Sequence, residues 1–165
     1  MKIFWGCRAF LSPFWDKDGK AFFYGRGNLG VCSISLPHVA LSSEGDMDKF
    51  WKILDERLEL ARQVGELRYE KLRGVKASVA PILWQHGAIS RLKHDEDILK
   101  AIDERGFTVT IGYSGIYETV KYLTGESHTT EKGYELAEKI MKHLRDKCEE
   151  FKSNQPHLRF ALYGR

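Results

Sequence analysis

Across residues 46–74 the apolar positions recur at helical spacing. Phe50, Leu54, Leu58, Ala61, Val64, Leu67 and Leu72 follow one another at steps of three, four or five residues. That spacing gathers them into one stripe on a helix of about seven turns. Gly74 is a natural stop, because glycine accepts the left-handed conformation in which helices often end. A second long stripe over residues 130–152 carries Leu136, Ile140, Leu144, Cys148 and Phe151. Shorter helices are predicted over residues 95–105, closed by Gly106, and over 116–123. Three runs have the β-branched, apolar character of strands. They are residues 31–36, ended by Pro37, residues 107–111, broken by Gly112 and Gly115, and residues 158–163, set off from the preceding helix by Pro156. The stretch "ASVAPILWQHG" reads as an irregular strand or loop, because Pro81 interrupts it. Residues 1–30, with many glycines and aromatics, read as a loop and a short hairpin with residues 21–24 as one arm.

Strands alternating with long helices imply an α/β fold with a largely parallel sheet. The chain has 165 residues, which suits one domain, and shows no repeat, low-complexity tract or linker. Composition narrows the function classes. No apolar run approaches the roughly 20 residues of a membrane span, and residues 1–5 lack the features of a secretion signal. The expectation is a cytoplasmic protein with no membrane role. The net charge of +3 is dispersed, with basic residues set beside acids as in Asp55-Glu56-Arg57 and Arg145-Asp146-Lys147. This is a solvated surface and gives no indication of nucleic-acid binding.

Candidate chemistry is sparse. The three cysteines, Cys7, Cys32 and Cys148, are far apart and form no CxxC pair, which argues against a disulfide framework or a zinc ribbon. Cys148 on a helical stripe and Cys32 in an apolar strand read as small buried hydrophobes. Cys7 stands between Gly6 and Arg8, where a guanidinium can stabilise a thiolate. Its local context leaves packing and reactivity both open. The six histidines show no metal-ligand spacing. "GRGNLG", residues 25–30, precedes a strand and does not open a helix, so it lacks the context of a dinucleotide fingerprint. Its glycines read as a turn or a close backbone approach, and Asn28 as either a turn residue or a site amide. "GYSGIYE" lacks the second glycine of a nucleophile elbow, because position 116 is isoleucine.

Five stretches, "GCRAFLSP", "GRGNLGVCSISLPHVAL", "FWKILDERLELAR", "GVKASVAPIL" and "IGYSGIYETVKYLTG", together resemble the catalytic domain of class III (anaerobic) ribonucleoside-triphosphate reductases. These are glycyl radical enzymes, and the stretches stand in the family's order across nearly the whole chain. The resemblance implies about half of a ten-stranded α/β barrel with a finger loop at the N-terminus of the chain. Residues 1–30 would be the finger loop and hairpin, and residues 31–165 the strands and helices of one half-barrel. It implies that Cys7 is the residue that becomes a thiyl radical and takes the 3′ hydrogen of a ribonucleoside triphosphate. Asn28, 21 positions later, would lie beside the substrate and hydrogen-bond it.

The same resemblance implies partners outside these residues: the remainder of the reductase, an iron–sulfur activating enzyme that uses S-adenosylmethionine, and a second copy in a homodimer. No cofactor is expected within this chain. The glycyl radical, the structural zinc and the nucleotide effectors belong to segments that these 165 residues do not contain. The expectation is therefore a fragment that is inactive alone. Two alternatives stay open, a non-catalytic interaction subunit of a split enzyme and a fragment of another glycyl radical enzyme such as a formate-lyase relative. The latter often has adjacent cysteines at the loop tip, whereas Arg8 follows Cys7 here.

Overall fold

Three parallel strands carry the fold, and two long helices cover one of their faces. The computed structural model describes residues 3, 4, 10, 11, 14, 15, 18–21, 24–155 and 157–164. A two-stranded antiparallel ribbon, β1 (Ile3–Phe4) and β2 (Phe10–Leu11), comes first. Then follow β3 (Asn28–Ser35), α1 (Leu36–Ser43), α2 (Met47–Glu70), a 3-10 turn (Ala77–Val79), α3 (Pro81–Trp84), α4 (Leu99–Arg105), β4 (Thr108–Ser114), α5 (Ile116–Thr124), α6 (Glu131–Asn154) and β5 (Arg159–Gly164). The sheet order is β3-β4-β5, both pairings are parallel, and β1-β2 is separate. The expected α/β class with a parallel sheet is present, as part of a barrel-type architecture.

The sheet has two unlike faces because strand side chains alternate. Gly30, Cys32 and Ile34 stand in register with Val109, Ile111 and Tyr113, and the last three with Phe160, Leu162 and Gly164. This face packs on α2 and α6. At Gly65 of α2 an added Cβ would lie 2.8 Å from Val109 Cγ1 and 3.3 Å from Phe160 Cε1, so the helix reaches the sheet only through a missing side chain. From α6, Phe151 meets Phe160 edge-on with ring centroids 5.6 Å apart. Phe50, Leu54, Leu58, Ile140, Leu144 and Phe160 are fully buried, which accounts for most of the two stripes in the sequence; Leu67, expected on the first, is exposed, and Gly65 and Tyr69 take the buried positions at that end of α2. Gly65→Ala is expected to cost about 1–3 kcal/mol by overpacking this contact, read as faster amide exchange in α2 and β4.

Helix starts follow local chemistry. The Asp46 side chain accepts a bond from Lys49 N at 2.9 Å, and Thr130 Oγ1 accepts one from Gly133 N at 3.2 Å. Along α2, Arg62 binds both Glu59, at 2.7 Å, and Glu66, at 2.5 Å. The hydrogen bonds from Arg62 hold the Glu59 carboxyl down to about 2. A carboxyl whose folded pKa is depressed stabilises the fold above its unfolded value, near 4.5, and loses that contribution as pH falls toward 2. Glu59→Gln is therefore expected to lower stability modestly at neutral pH, given the solvent exposure of the pair. The difference from the parent should vanish between pH 4.5 and 2 in denaturation measured against pH.

Several boundaries differ from the sequence expectation. Pro37 does not merely end a strand. It occupies the first turn of α1, where its fixed φ and missing N–H do no harm. Pro81 likewise opens α3, so "ASVAPILWQHG" is helical turns and not a strand. Helix α2 ends at Glu70, before Gly74, and Leu72 lies in the turn that follows. Helix α4 starts at Leu99 and not at 95, because Asp97 accepts bonds from Leu99 N at 2.9 Å and Gly74 N at 2.7 Å. Strand β4 runs through Gly112 to Ser114. A Cβ at Gly112 would collide with Ser33 Oγ, so the glycine admits its neighbour and does not break the strand. Strand β3 begins at Asn28, inside "GRGNLG", three residues before the expected start. In the N-terminal hairpin, Ala21 forms an isolated antiparallel bridge with Trp15, and residues 22 and 23 lie outside the described residues.

Candidate functional site

The second face of the sheet is polar and lined by small residues. Asn28, Val31, Ser33 and Ser35 of β3 stand in register with Thr108, Thr110, Gly112 and Ser114 of β4. The first three of those pair with Arg159, Ala161 and Tyr163 of β5. Thr108 and Thr110 are fully buried although their side chains alternate away from the residues that meet α2. Strand β2 contacts both β4 and β5, and Leu11 is buried. The N-terminal ribbon thus lies against the two strands that carry this face.

Asn28 enters this face through a bulge. Register shifts between Asn28 and Gly30, where Gly30 has φ +127°. Gly30 N donates to Asn28 Oδ1 at 2.7 Å, and Asn28 Nδ2 donates to Thr110 Oγ1 at 2.6 Å. On the helix side of Gly30 the Arg68 guanidinium occupies the space a Cβ would need, and Arg68 Nη1 donates to Val31 O at 3.3 Å. Glycine is required here by conformation and by contact.

The rest of "GRGNLG" anchors the strand entrance. Arg26 is buried, and donates from Nε to Arg105 O at 2.8 Å and from Nη2 to Gly106 O at 2.7 Å. The Phe14 ring lies near two guanidinium groups, with Arg26 at 5.4 Å and Arg159 at 5.0 Å from its centroid. Burial first, and then Arg159, lower the Arg26 pKa to about 10, so the group stays cationic at neutral pH. A Cβ at Gly27 would meet Phe107 Cε2 at 2.6 Å. The glycines of this motif thus permit close backbone approach.

Cys7 falls among the five residues between β1 and β2 in sequence and lies outside the described residues. Cys148 is buried, and burial pushes its thiol up to about 12, which suits the inert role read from its stripe. Cys32, expected to be buried, is half-buried. Its strand lies at the sheet edge, beside a groove of about 200 Å³ that Ser35, His38, Arg57, Leu60 and Val64 also line. A second groove of about 420 Å³, lined by Tyr113, Leu162, Glu138, Lys142 and Arg145, lies along β5. Among the described residues neither β3 nor β5 has a strand on its outer side. No helix of the described residues is long and apolar enough to cross a membrane.

Thr110 is the residue of this site that the sequence reading passed over. Its signal was present in "TVTI", where threonines alternate with apolar residues and announce a two-faced strand. Its contact with Asn28, 82 positions away, carries no local signal.

Comparison with known proteins gives one consistent result. The model of the family described as anaerobic ribonucleoside-triphosphate reductase matches residues 2–164. The reductase of that name from Salmonella typhimurium is 40% identical over 162 residues, covering 96% of this chain and 23% of its own length. The phage T4 counterpart is 39% identical over 164 residues, covering 96% and 26%. The chain thus spans about a quarter of the length of the curated relatives it matches. Among solved structures, the anaerobic ribonucleotide reductase from Thermotoga maritima with citrate in the active site superposes with a TM-score of 0.66 at 20% identity, over 92% of this chain and 26% of that one. The complex of the same enzyme with dATP and CTP gives 0.63 at 19% identity, over 92% and 24%. At that identity these two likenesses speak for the fold.

Proposed function

Because this chain belongs to the anaerobic ribonucleoside-triphosphate reductase family, we propose that it forms part of the catalytic barrel of an enzyme that reduces ribonucleoside triphosphates to their 2′-deoxy forms. The observation that carries this reading is the family match across residues 2–164, which takes in both Cys7 and Asn28. Three features of the fold support it. The sheet is parallel, and one face gathers the side chains of Asn28, Ser33, Ser35, Thr108 and Thr110, the kind of convergent polar groups that orient a ligand in a site. Among the described residues both of its edges lack a neighbouring strand and are flanked by grooves, as expected where further strands and helices continue a barrel. The ribbon on either side of Cys7 in sequence lies against the strands that carry the polar face.

In this reading the Cys7 thiyl radical removes the hydrogen at ribose C3′. One C–H bond breaks and one S–H bond forms, which leaves a thiol and a carbon radical on the substrate. The strengths of the two bonds are close, so the exchange is near balance and can be reversed after reduction. Asn28 hydrogen-bonds a ribose hydroxyl with an amide that does not titrate, and the bulge holds it in place. The radical itself comes from a glycyl residue outside these 165 residues, installed by an activating enzyme that uses S-adenosylmethionine. The structural zinc and the effector nucleotides likewise belong to other segments, and the working enzyme is a cytoplasmic homodimer.

The test is an anaerobic assay of the full-length polypeptide that carries this segment, supplied with its activating enzyme, an external two-electron reductant (a dithiol or formate) and a ribonucleoside triphosphate. Formation of the 2′-deoxy product is expected. An activated protein that bears the glycyl radical and yet forms none would overturn the reading.

A further inference from the structure

We propose that Thr110 is a positioning residue for Asn28, and that its hydroxyl fixes which way the Asn28 carboxamide faces the ribose. The inference rests on the reading of Asn28 as the substrate-site amide and adds a second residue to that site. Its basis is the pair of bonds on Asn28, from Gly30 N at 2.7 Å and to Thr110 Oγ1 at 2.6 Å.

These two bonds determine the amide without ambiguity. A backbone N–H can only donate, so the group 2.7 Å from Gly30 N is the carboxamide oxygen. The nitrogen must then face Thr110 Oγ1, which accepts. The terminal torsion of asparagine is broad and roughly two-fold, so an untethered carboxamide exchanges its donor and acceptor ends readily. Such a flip would set Nδ2 against Gly30 N, lose both anchoring bonds, and exchange donor for acceptor on the side that meets the ribose hydroxyl.

Each anchor is itself held by its surroundings. Gly30 is held in its left-handed conformation by the bulge, with Arg68 packed over it. Thr110 lies fully buried on β4, the central strand, flanked in register by Val31 and Ala161. Neither anchor titrates, so the arrangement holds across the working pH range. The hydroxyl also spans from the central strand to the entrance of β3, tying the amide to a buried element of the sheet.

The experiment compares Thr110→Val, Thr110→Ser, Asn28→Ala and the Thr110→Val/Asn28→Ala double variant in the activated full-length protein. Valine keeps the shape and removes the acceptor, whereas serine keeps the acceptor. Thr110→Val is expected to lower kcat/KM by about tenfold to a hundredfold, the range for a misplaced site group, and Thr110→Ser to recover most of that loss. In the Asn28→Ala background, Thr110→Val should add little, because the group it positions is gone. Thr110→Ala beside Thr110→Ser makes the same comparison if the valine variant does not fold. Full multiplication of the two single losses in the double variant would overturn the positioning role, and so would a Thr110→Ser protein as impaired as Thr110→Val. If Asn28→Ala turns over as fast as the parent, the reading of Asn28 itself fails. If Asn28→Ala is impaired and Thr110→Val is not, only the role of Thr110 fails.

Discussion

Replacing Cys7 by serine is expected to abolish deoxynucleotide formation in the activated full-length enzyme while leaving nucleotide binding intact. The change is one atom in size and total in chemistry. A serine O–H bond is much stronger than the ribose C–H bond, so an alkoxyl radical could not be regenerated as a carrier after each turnover. A packing role for Cys7 predicts something quite different. Serine would then lower stability and reduce activity only through the fraction folded. Turnover measured beside equilibrium nucleotide binding separates the two, because loss of turnover with binding retained belongs to the radical role alone. The neighbouring cysteines serve as controls. Cys148→Ser and Cys32→Ser should retain turnover, since the first is sealed in the helix–sheet core and the second lies at the β3 edge on the face that carries Gly30 and Ile34.

The largest structural effect is expected at Phe160. Its ring is fully buried where α2, α6 and β5 meet, edge-on to Phe151 and against the bare backbone of Gly65. Truncation to alanine removes the apolar contact and leaves a cavity that two 24-residue helices, tied to each other by the bond between His143 Nε2 and Asp55 Oδ1 at 2.6 Å, cannot easily close. The expected cost is about 3–5 kcal/mol. Amide exchange in α2, α6 and β5 should quicken together, because one contact joins all three. Acceleration confined to β5 would mean that the helices are held by something other than this ring.

The two long helices were legible because each buries a single stripe that repeats with the helical period. Phe50, Leu54 and Leu58, and Ile140, Leu144 and Cys148, all reached the core that their spacing announced. Helix α1 was hidden because proline both ends strands and begins helices, and only the following backbone decides which. Gly112 misled for a related reason. A glycine in a strand breaks it in one context and admits a neighbour in another, and Ser33 is 79 positions away in sequence. In the site, the local motif left Asn28 as either a turn residue or a site amide, and its role came from the resemblance; the alternation in "TVTI" held an unread signal of a two-faced strand. The bond from Asn28 to Thr110, like the grip of Arg26 on Arg105 and Gly106, spans about 80 residues and exists only once the parallel sheet is formed. The importance of Cys7 came from the resemblance of whole stretches, since its own neighbours did not separate reactivity from packing.

In the proposed reaction the segment delivers a sulfur radical to ribose C3′ beside a fixed amide. The most direct measurement is single-turnover reduction by the activated full-length enzyme of a ribonucleoside triphosphate deuterated at C3′, compared with the same nucleotide deuterated at another ribose carbon. Slower reduction of the C3′-deuterated substrate is expected, with the isotope effect confined to that position. Slowing by deuterium at a different ribose carbon, with none at C3′, would contradict it.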